Sequence, residues 1–476
     1  MKYILISLYC LILLSCVTIP DQAYHKIACA APIACTEQEL DAYIKPVTNM
    51  VIINGISTFR RDQMVIKEGD MIDDTSFYLL YLEYAETGQK FEDNRQLDLI
   101  KRVIAAAEKP IYLVIYVNSW NNNASTTMPS PDVVSFPYLL ARRSFQNPEM
   151  TVIGVYIGWR GKKYEHFPAT ILSVKDRAKA ADTIGKRGEV RADIITMVNH
   201  VQQSPHSGYS LIIGKSFGGR ILSRAFIDDL AQTTTVKKWP LGERSLLVTL
   251  NSAIGADAFD RIYQRMPAPD PNTGLSLQRP LWINLTSKDD WITKNIFPKA
   301  RFIGQKLSDW GKKYTIGHYL PYVSHSITVE RTNSLPSNSN CAFMQDIFLQ
   351  GPVAKAKSRA TWFRRPLRDD NQTNQNNQAN DIKNNQHSHC TETRYLYENK
   401  NTNSIENRYY TTVLRPLHDN SDDTLGYMWN FQTDESVIGY SADEARMIKN
   451  SGKHNSYVQT TLGRMADDML FTTPEQ

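Results

Sequence analysis

Two runs, Ile111 to Val117 (IYLVIYV) and Thr151 to Ile157 (TVIGVYI), are apolar almost without interruption. No other feature constrains the fold as strongly. A strand with one wet face alternates apolar and polar residues, whereas a strand apolar throughout has both faces covered, as in a parallel sheet flanked by helices. Phe77 to Tyr84, Ser210 to Ile213, Leu246 to Leu250 and Leu281 to Leu285 read as further strands of this kind. Between them, Arg95 to Ala107 and Arg187 to Gln203 space their apolar residues as amphipathic helices. Strands alternating with helices predict an α/β fold with a mostly parallel central sheet and helices on both faces.

The chain has 476 residues, 42% of them hydrophobic, so one large domain with insertions can bury a substantial core. Its net charge of +5 comes from 54 basic and 49 acidic residues that are mixed along the chain. A nucleic-acid binder clusters its basic residues, so that class is excluded. From about residue 333 the composition turns polar, and Asp369 to His387 is almost wholly Asn, Gln and charged residues. Such a stretch buries too little apolar surface to order itself, and residues 333–408 are expected to be a largely disordered insertion. Apolar sequence returns at Tyr409 to Val413 and Gly426 to Phe431, and Thr460 to Phe471 has helical spacing. A final strand and a closing helix are expected there, making 48–476 one domain.

The first residues carry a different signal. After Met1-Lys2, Tyr3 to Leu14 is an apolar run too short to span a bilayer and suited to a signal peptide over residues 1–15. It ends in Leu13-Leu14-Ser15-Cys16, which resembles the lipobox of bacterial lipoproteins. That resemblance implies a lipid on Cys16, a tether and lead-in over residues 16–47, and export to the cell envelope. With Val17 rather than Asp after it, the implied destination is the outer membrane of a Gram-negative bacterium. Removing Cys10 and Cys16 leaves Cys29, Cys35, Cys341 and Cys390. An even number in an oxidising compartment suggests two disulfides with three connectivities, and chain neighbours favour Cys29 with Cys35 and Cys341 with Cys390.

The chemistry centres on Ser216. Ser210 to Ile213 runs into Gly214-Lys215-Ser216-Phe217-Gly218-Gly219, followed by the helix-like Arg220 to Leu230. This is G-x-S-x-G between a strand and a helix, the context in which the motif places a nucleophile on a tight turn. The glycines leave room, and the helix behind aims backbone N–H groups at the reaction centre. A phosphate-binding loop would need glycine at 209, which is Tyr209.

Several segments together resemble esterase- or lipase-like α/β-hydrolases. They are Leu82 to Gly88, Asn118 to Asn123, Gly158-Trp159-Arg160-Gly161, the turn at Ser216, Asn251 to Ala256, and Thr286 to Thr293. The resemblance spans roughly residues 75–330 and 425–471. It implies the α/β-hydrolase fold, a Ser-His-Asp triad, and carboxylic esters or lipids as substrates, with no metal or organic cofactor. One departure is that the family's His-Gly is Asn118-Ser119 here. The resemblance implies an oxyanion hole from the N–H groups of Phe217 and Ser119 or Trp120. It implies Asp290 as the acid, with adjacent Asp289 as runner-up. For the base, His454 lies after the last strand, where this fold carries its histidine, with His325 second and His318 third. A competing reading of the same departure, together with Lys215, is a non-catalytic lipid-anchored binding protein on a degenerate hydrolase scaffold.

Overall fold

The structure, a computed structural model, describes residues 18–30, 35–48, 76–127, 130–165, 173–233, 235–265, 280–298, 314–332, 343–348, 389–399, 404–416 and 427–433. Cys16, Cys341, His454 and the expected closing helix lie outside them. The strands are β1 (Val47–Thr48), β2 (Ser76–Tyr84), β3 (Ile111–Val117), β4 (Thr151–Trp159), β5 (Tyr209–Lys215), β6 (Ser245–Leu250), β7 (Trp282–Ser287), β8 (His325–Thr332), β9 (Phe343–Phe348), β10 (His389–Asn399), β11 (Ser404–Pro416) and β12 (Met428–Thr433). They form one sheet in the order β1-β2-β4-β3-β5-β6-β7-β12-β8-β11-β10-β9. From β2 across to β8 all neighbours are parallel. Beyond β8 the pairs β8–β11 and β11–β10 are antiparallel, and β9 joins β10 in parallel. The chain is therefore an α/β protein with a mostly parallel sheet. Strands β9, β10 and the start of β11 fall within the 333–408 stretch expected to be largely disordered, and extend the sheet there. The Asn/Gln-rich tract itself lies outside the described residues.

The helices are α1 (Glu37–Asp41), α2 (Arg95–Ala105), α3 (Pro131–Gln146), α4 (Val174–Arg187), α5 (Glu189–Gln203), α6 (Phe217–Gln232) and α7 (Asp260–Arg265). Every residue of β3 is buried. Its odd-numbered side chains, Ile111 to Val117, join a core with apolar residues of α2, α4, α5 and α6. Its even-numbered ones, Tyr112, Val114 and Tyr116, join the core under α3 with Phe136 and Leu140. This two-sided burial explains the unbroken apolar runs. Helix α3 is not evident in the sequence because Pro137 lies inside it. Its packing on the sheet outweighs that preference. The helix expected over Arg187 to Gln203 is α5; α4 precedes it, and the two meet at Gly188, whose φ of 92° suits glycine.

Within the expected lead-in, residues 18–30 and 35–48 are fixed to the rest of the domain. Ala23, Ile27 and Leu40 are buried, Cys29 and Cys35 form the expected disulfide, and Thr36 with Glu39 makes a capping box on α1. The buried carboxylate of Glu83 accepts the N–H groups of Tyr24 (3.0 Å) and His25 (2.8 Å) and an N–H of Gln96. The N-terminal segment is thereby tied to the carboxyl end of β2.

Candidate active site

The order of the strands creates a topological switch point. From β3 the chain crosses to β4 on one side, and from β5 it continues to β6 on the other. Such a switch point opens a cleft beyond the carboxyl ends of the two diverging strands, where parallel sheets bind ligands. The ends are Asn118 after β3 and Ser216 after β5, so the G-x-S-x-G turn sits at the switch point.

Ser216 has φ 53° and ψ −113°, a conformation rare for a residue with a side chain and costing on the order of 1–3 kcal/mol. Three backbone hydrogen bonds hold it there. Its N–H donates to Leu250 O (2.9 Å), and its carbonyl accepts from Arg220 N (3.0 Å) and Ala253 N (3.1 Å). At Gly218 a Cβ would come within 2.1 Å of Val117 O, so only glycine lets α6 start this close to β3. The other positive-φ non-glycine residues among those described are Asp93, Asn121 and Asn251. Asn121 and Asn251 follow β3 and β6, so backbone strain gathers at the carboxyl rim around Ser216, as it does at functional sites.

The loop after β3 is fixed by its neighbours. Asn118 Oδ1 accepts Trp159 N (3.0 Å), and Asn118 O accepts the indole N–H of Trp159 (2.8 Å). The loop is thus pinned to the end of β4 through side-chain amide and backbone together. Ser119 donates both its N–H (2.9 Å) and its hydroxyl (2.8 Å) to Asp132 Oδ2. This corrects the expectation for the oxyanion hole, because the N–H of Ser119 is already engaged by a carboxylate. The N–H groups of Phe217 and Trp120 have no hydrogen-bond partner among the described residues. Phe217 opens α6, where the first N–H groups have no intrahelical acceptor, and its ring centroid is 6.5 Å from that of Trp120.

Asp132 is a residue that sequence reasoning missed. On its other oxygen it binds Lys215 Nζ at 2.7 Å, with both side chains essentially inaccessible to solvent. A buried cation next to the nucleophile is thus matched by a buried carboxylate on α3, which also anchors the loop after β3. Asn122 completes the cluster by donating to Ser119 Oγ (2.7 Å) and accepting Asp132 N (3.2 Å). The sequence carries no signal for Asp132, because its place in the first turn of α3, where a carboxylate suits the helix N-terminus, is visible only in the structure.

Asp290 follows β7 and is fully buried, while Asp289 beside it faces solvent. Its carboxylate accepts Ile292 N (3.1 Å) and the hydroxyl of Thr293, and Thr293 Oγ1 also lies 3.1 Å from His318 Nε2. The structure therefore brings Asp290 and His318 together through Thr293, another residue that the sequence alone does not single out. His325 begins β8, level with Phe431 of β12. In the sheet order β8 is four strands from β5, and β12 lies between it and β7.

Burial lowers His318 from its ordinary 6.5 to about 4, with Lys294 adding to the fall while Asp290 and Asp289 oppose it. Burial likewise lowers His25, stacked on Tyr81, to about 4. Between pH 4 and 6.5 the unfolded chain takes up protons at these positions that the folded chain refuses, so stability falls as pH drops through that window. Thermal melts from pH 7 to 4 are expected to show this decline, and a His25→Gln/His318→Gln variant is expected to flatten it.

Among the described residues no group of three or more His, Cys, Asp or Glu side chains could hold a metal ion, and no helix is long and apolar enough to cross a membrane. No family model matches the chain, and neither a curated protein nor a solved structure does.

Proposed function

We propose that the protein is a serine hydrolase of the α/β-hydrolase fold that cleaves carboxylic esters through an acyl-enzyme on Ser216. The observation that carries this reading is the backbone of Ser216 itself. A strained φ, ψ pair on a strand-to-helix turn, at the switch point of a parallel sheet, is the arrangement that exposes a nucleophile to a helix N-terminus. In the reaction Ser216 Oγ attacks the ester carbonyl carbon while its proton passes to an imidazole. The alkoxide leaves with that proton, and water then releases the acid by the reverse path. Phe217 and Trp120 supply the N–H groups for the oxyanion. Asp290 is the acid that orients the base.

His454 is the base in this reading. Strand β12 pairs directly with β7, whose following turn carries Asp290, and His454 follows β12 in the chain. His318, neutral and bonded to Thr293, braces the acid loop. Replacing His454 by Ala is expected to lower ester turnover by on the order of 10⁴-fold with the fold intact. His318→Gln should lower the melting temperature and leave turnover per folded molecule much nearer to normal. Parallel kinetics and melts check this, and near-normal turnover in folded His454→Ala would exclude it as the base.

The engagement of Ser119 N–H by Asp132 favours the second reading, a binding protein on a hydrolase scaffold without catalysis. A fluorophosphonate probe on the purified protein separates the two. Labelling that disappears in Ser216→Ala supports the hydrolase, and no Ser216-dependent labelling supports the binding protein.

A further inference from the structure

The last rung between β6 and β7 is made by a side chain. The two strands pair in parallel as far as Leu250 and Leu285, and Asn251 N donates to Leu285 O at 2.9 Å. In a regular parallel ladder the carbonyl of the same residue would accept the N–H two positions further along the neighbour, that of Ser287. Here Ser287 N donates instead to Asn251 Oδ1, at 2.9 Å. The backbone of Asn251 has left the strand, with φ 45°, and its side-chain amide takes the place of the carbonyl. Asn and Asp tolerate this left-handed conformation better than other residues with a side chain. Asn251 is 1% exposed and Ser287 is fully buried, so the bond is made away from solvent.

This rung joins two turns. On the β6 side, the residues around Asn251 hold the nucleophile turn: Leu250 O accepts Ser216 N (2.9 Å), and Ala253 N donates to Ser216 O (3.1 Å). On the β7 side, Ser287 O accepts the N–H of the buried Asp290 (3.0 Å). Ser287 therefore meets Asn251 with its N–H and the acid turn with its carbonyl. The next N–H, that of Lys288, donates to Thr433 O of β12 at 2.8 Å, so the acid turn is held from the strands on both sides of β7.

We infer that Asn251 is a positioning residue of the hydrolytic site: its side-chain carbonyl sets the acid turn carrying Asp290 in register with the nucleophile turn at Ser216. This rests on the reading of Ser216 as nucleophile and Asp290 as acid. The positive φ turns the chain after β6 toward Ser216, where Ala253 bonds to its carbonyl. The amide recovers the rung that this departure gives up. Without the amide a buried N–H loses its acceptor, and the peptide that carries it is the one from which the acid turn hangs.

Variants of the full chain, assayed with a soluble short-chain ester and checked for folding by thermal melts, test this. Asn251→Gly keeps the left-handed backbone and loses only the acceptor. Its kcat is expected to fall by on the order of 10²-fold with KM within about twofold, as when an active-site group is misplaced by about 1 Å. Asn251→Asp keeps both an oxygen acceptor and the backbone preference, and is expected to stay within about tenfold of wild type. Asp290→Asn is expected to lose on the order of 10⁴-fold. In that background Asn251→Gly should cost less than about threefold, because no acid is left to position. Wild-type turnover in folded Asn251→Gly, the same loss repeated in the Asp290→Asn background, or an Asn251→Asp variant as impaired as the glycine one overturns the inference and leaves the hydrolase standing. If Asn251→Gly does not fold, Asn251→Asp decides alone: turnover within about tenfold of wild type supports the inference, and a loss of about 10²-fold overturns it. Ser216-dependent fluorophosphonate labelling of the wild type establishes the hydrolase separately. Absence of that labelling, or full turnover in Asp290→Asn, overturns the inference at its premise.

Discussion

Ser216→Ala is expected to reduce ester turnover by on the order of 10⁴-fold or more while the protein stays folded, because the acyl-enzyme forms on the Ser216 hydroxyl. The strain at this residue makes the test sharper. Ser216 is held at φ 53° by backbone hydrogen bonds that any residue at the position would make. Alanine keeps the Cβ and so keeps the strain. Glycine removes it, and Ser216→Gly is expected to be more stable than Ser216→Ala by about 1 kcal/mol, although equally inactive. Denaturant melts of the three proteins, with turnover of a short-chain ester, check both parts. A glycine variant no more stable than the alanine one would mean that the turn relaxes elsewhere. Turnover surviving in Ser216→Ala would remove it as nucleophile.

The second large effect is expected at the pair behind the nucleophile. Removing one member of a buried ion pair strands the other charge out of water, which costs about 3–5 kcal/mol, a large share of a typical folding free energy. Lys215→Met and Asp132→Asn should each lose about that much. Replacing both, as in Lys215→Met/Asp132→Leu, should lose clearly less than the sum, because no charge is stranded. Activity should show a different pattern. Asp132 also holds Ser119 through two hydrogen bonds, so the double variant regains stability but not the position of the loop after β3. It should remain well below wild type in turnover per folded molecule. Urea denaturation with a double-mutant cycle, read beside the kinetics, tests this. Additive losses in the two single variants would show that the pair is not coupled.

How much of this could be read from the chain depends on the range of the interaction. The parallel strands were legible because burial on both faces leaves an unbroken apolar run, as in Ile111 to Val117, and no partner need be known to see it. The turn at Ser216 was legible for the same reason. Glycines at 214 and 218 and the change from strand to helix lie within ten residues of one another. Helix α3 was missed because Pro137 inside it conceals it, and packing on the sheet overrides the proline's preference.

Tertiary structure alone decided the rest. Lys215 finds Asp132 across 83 positions, and Tyr84 finds Asp193 across 109. Whether the N–H of Ser119 is available turns on where α3 begins, and nothing near Ser119 in the chain records that. His318 meets the acid loop because its turn docks on the ends of β6 and β7. The segment after Cys16 is anchored because Glu83 and the 160–164 loop accept its hydrogen bonds. Periodicity and turn chemistry are local and survive in sequence. Which buried polar group answers which depends on how the chain crosses the sheet, and only the folded chain brings those groups within hydrogen-bonding distance.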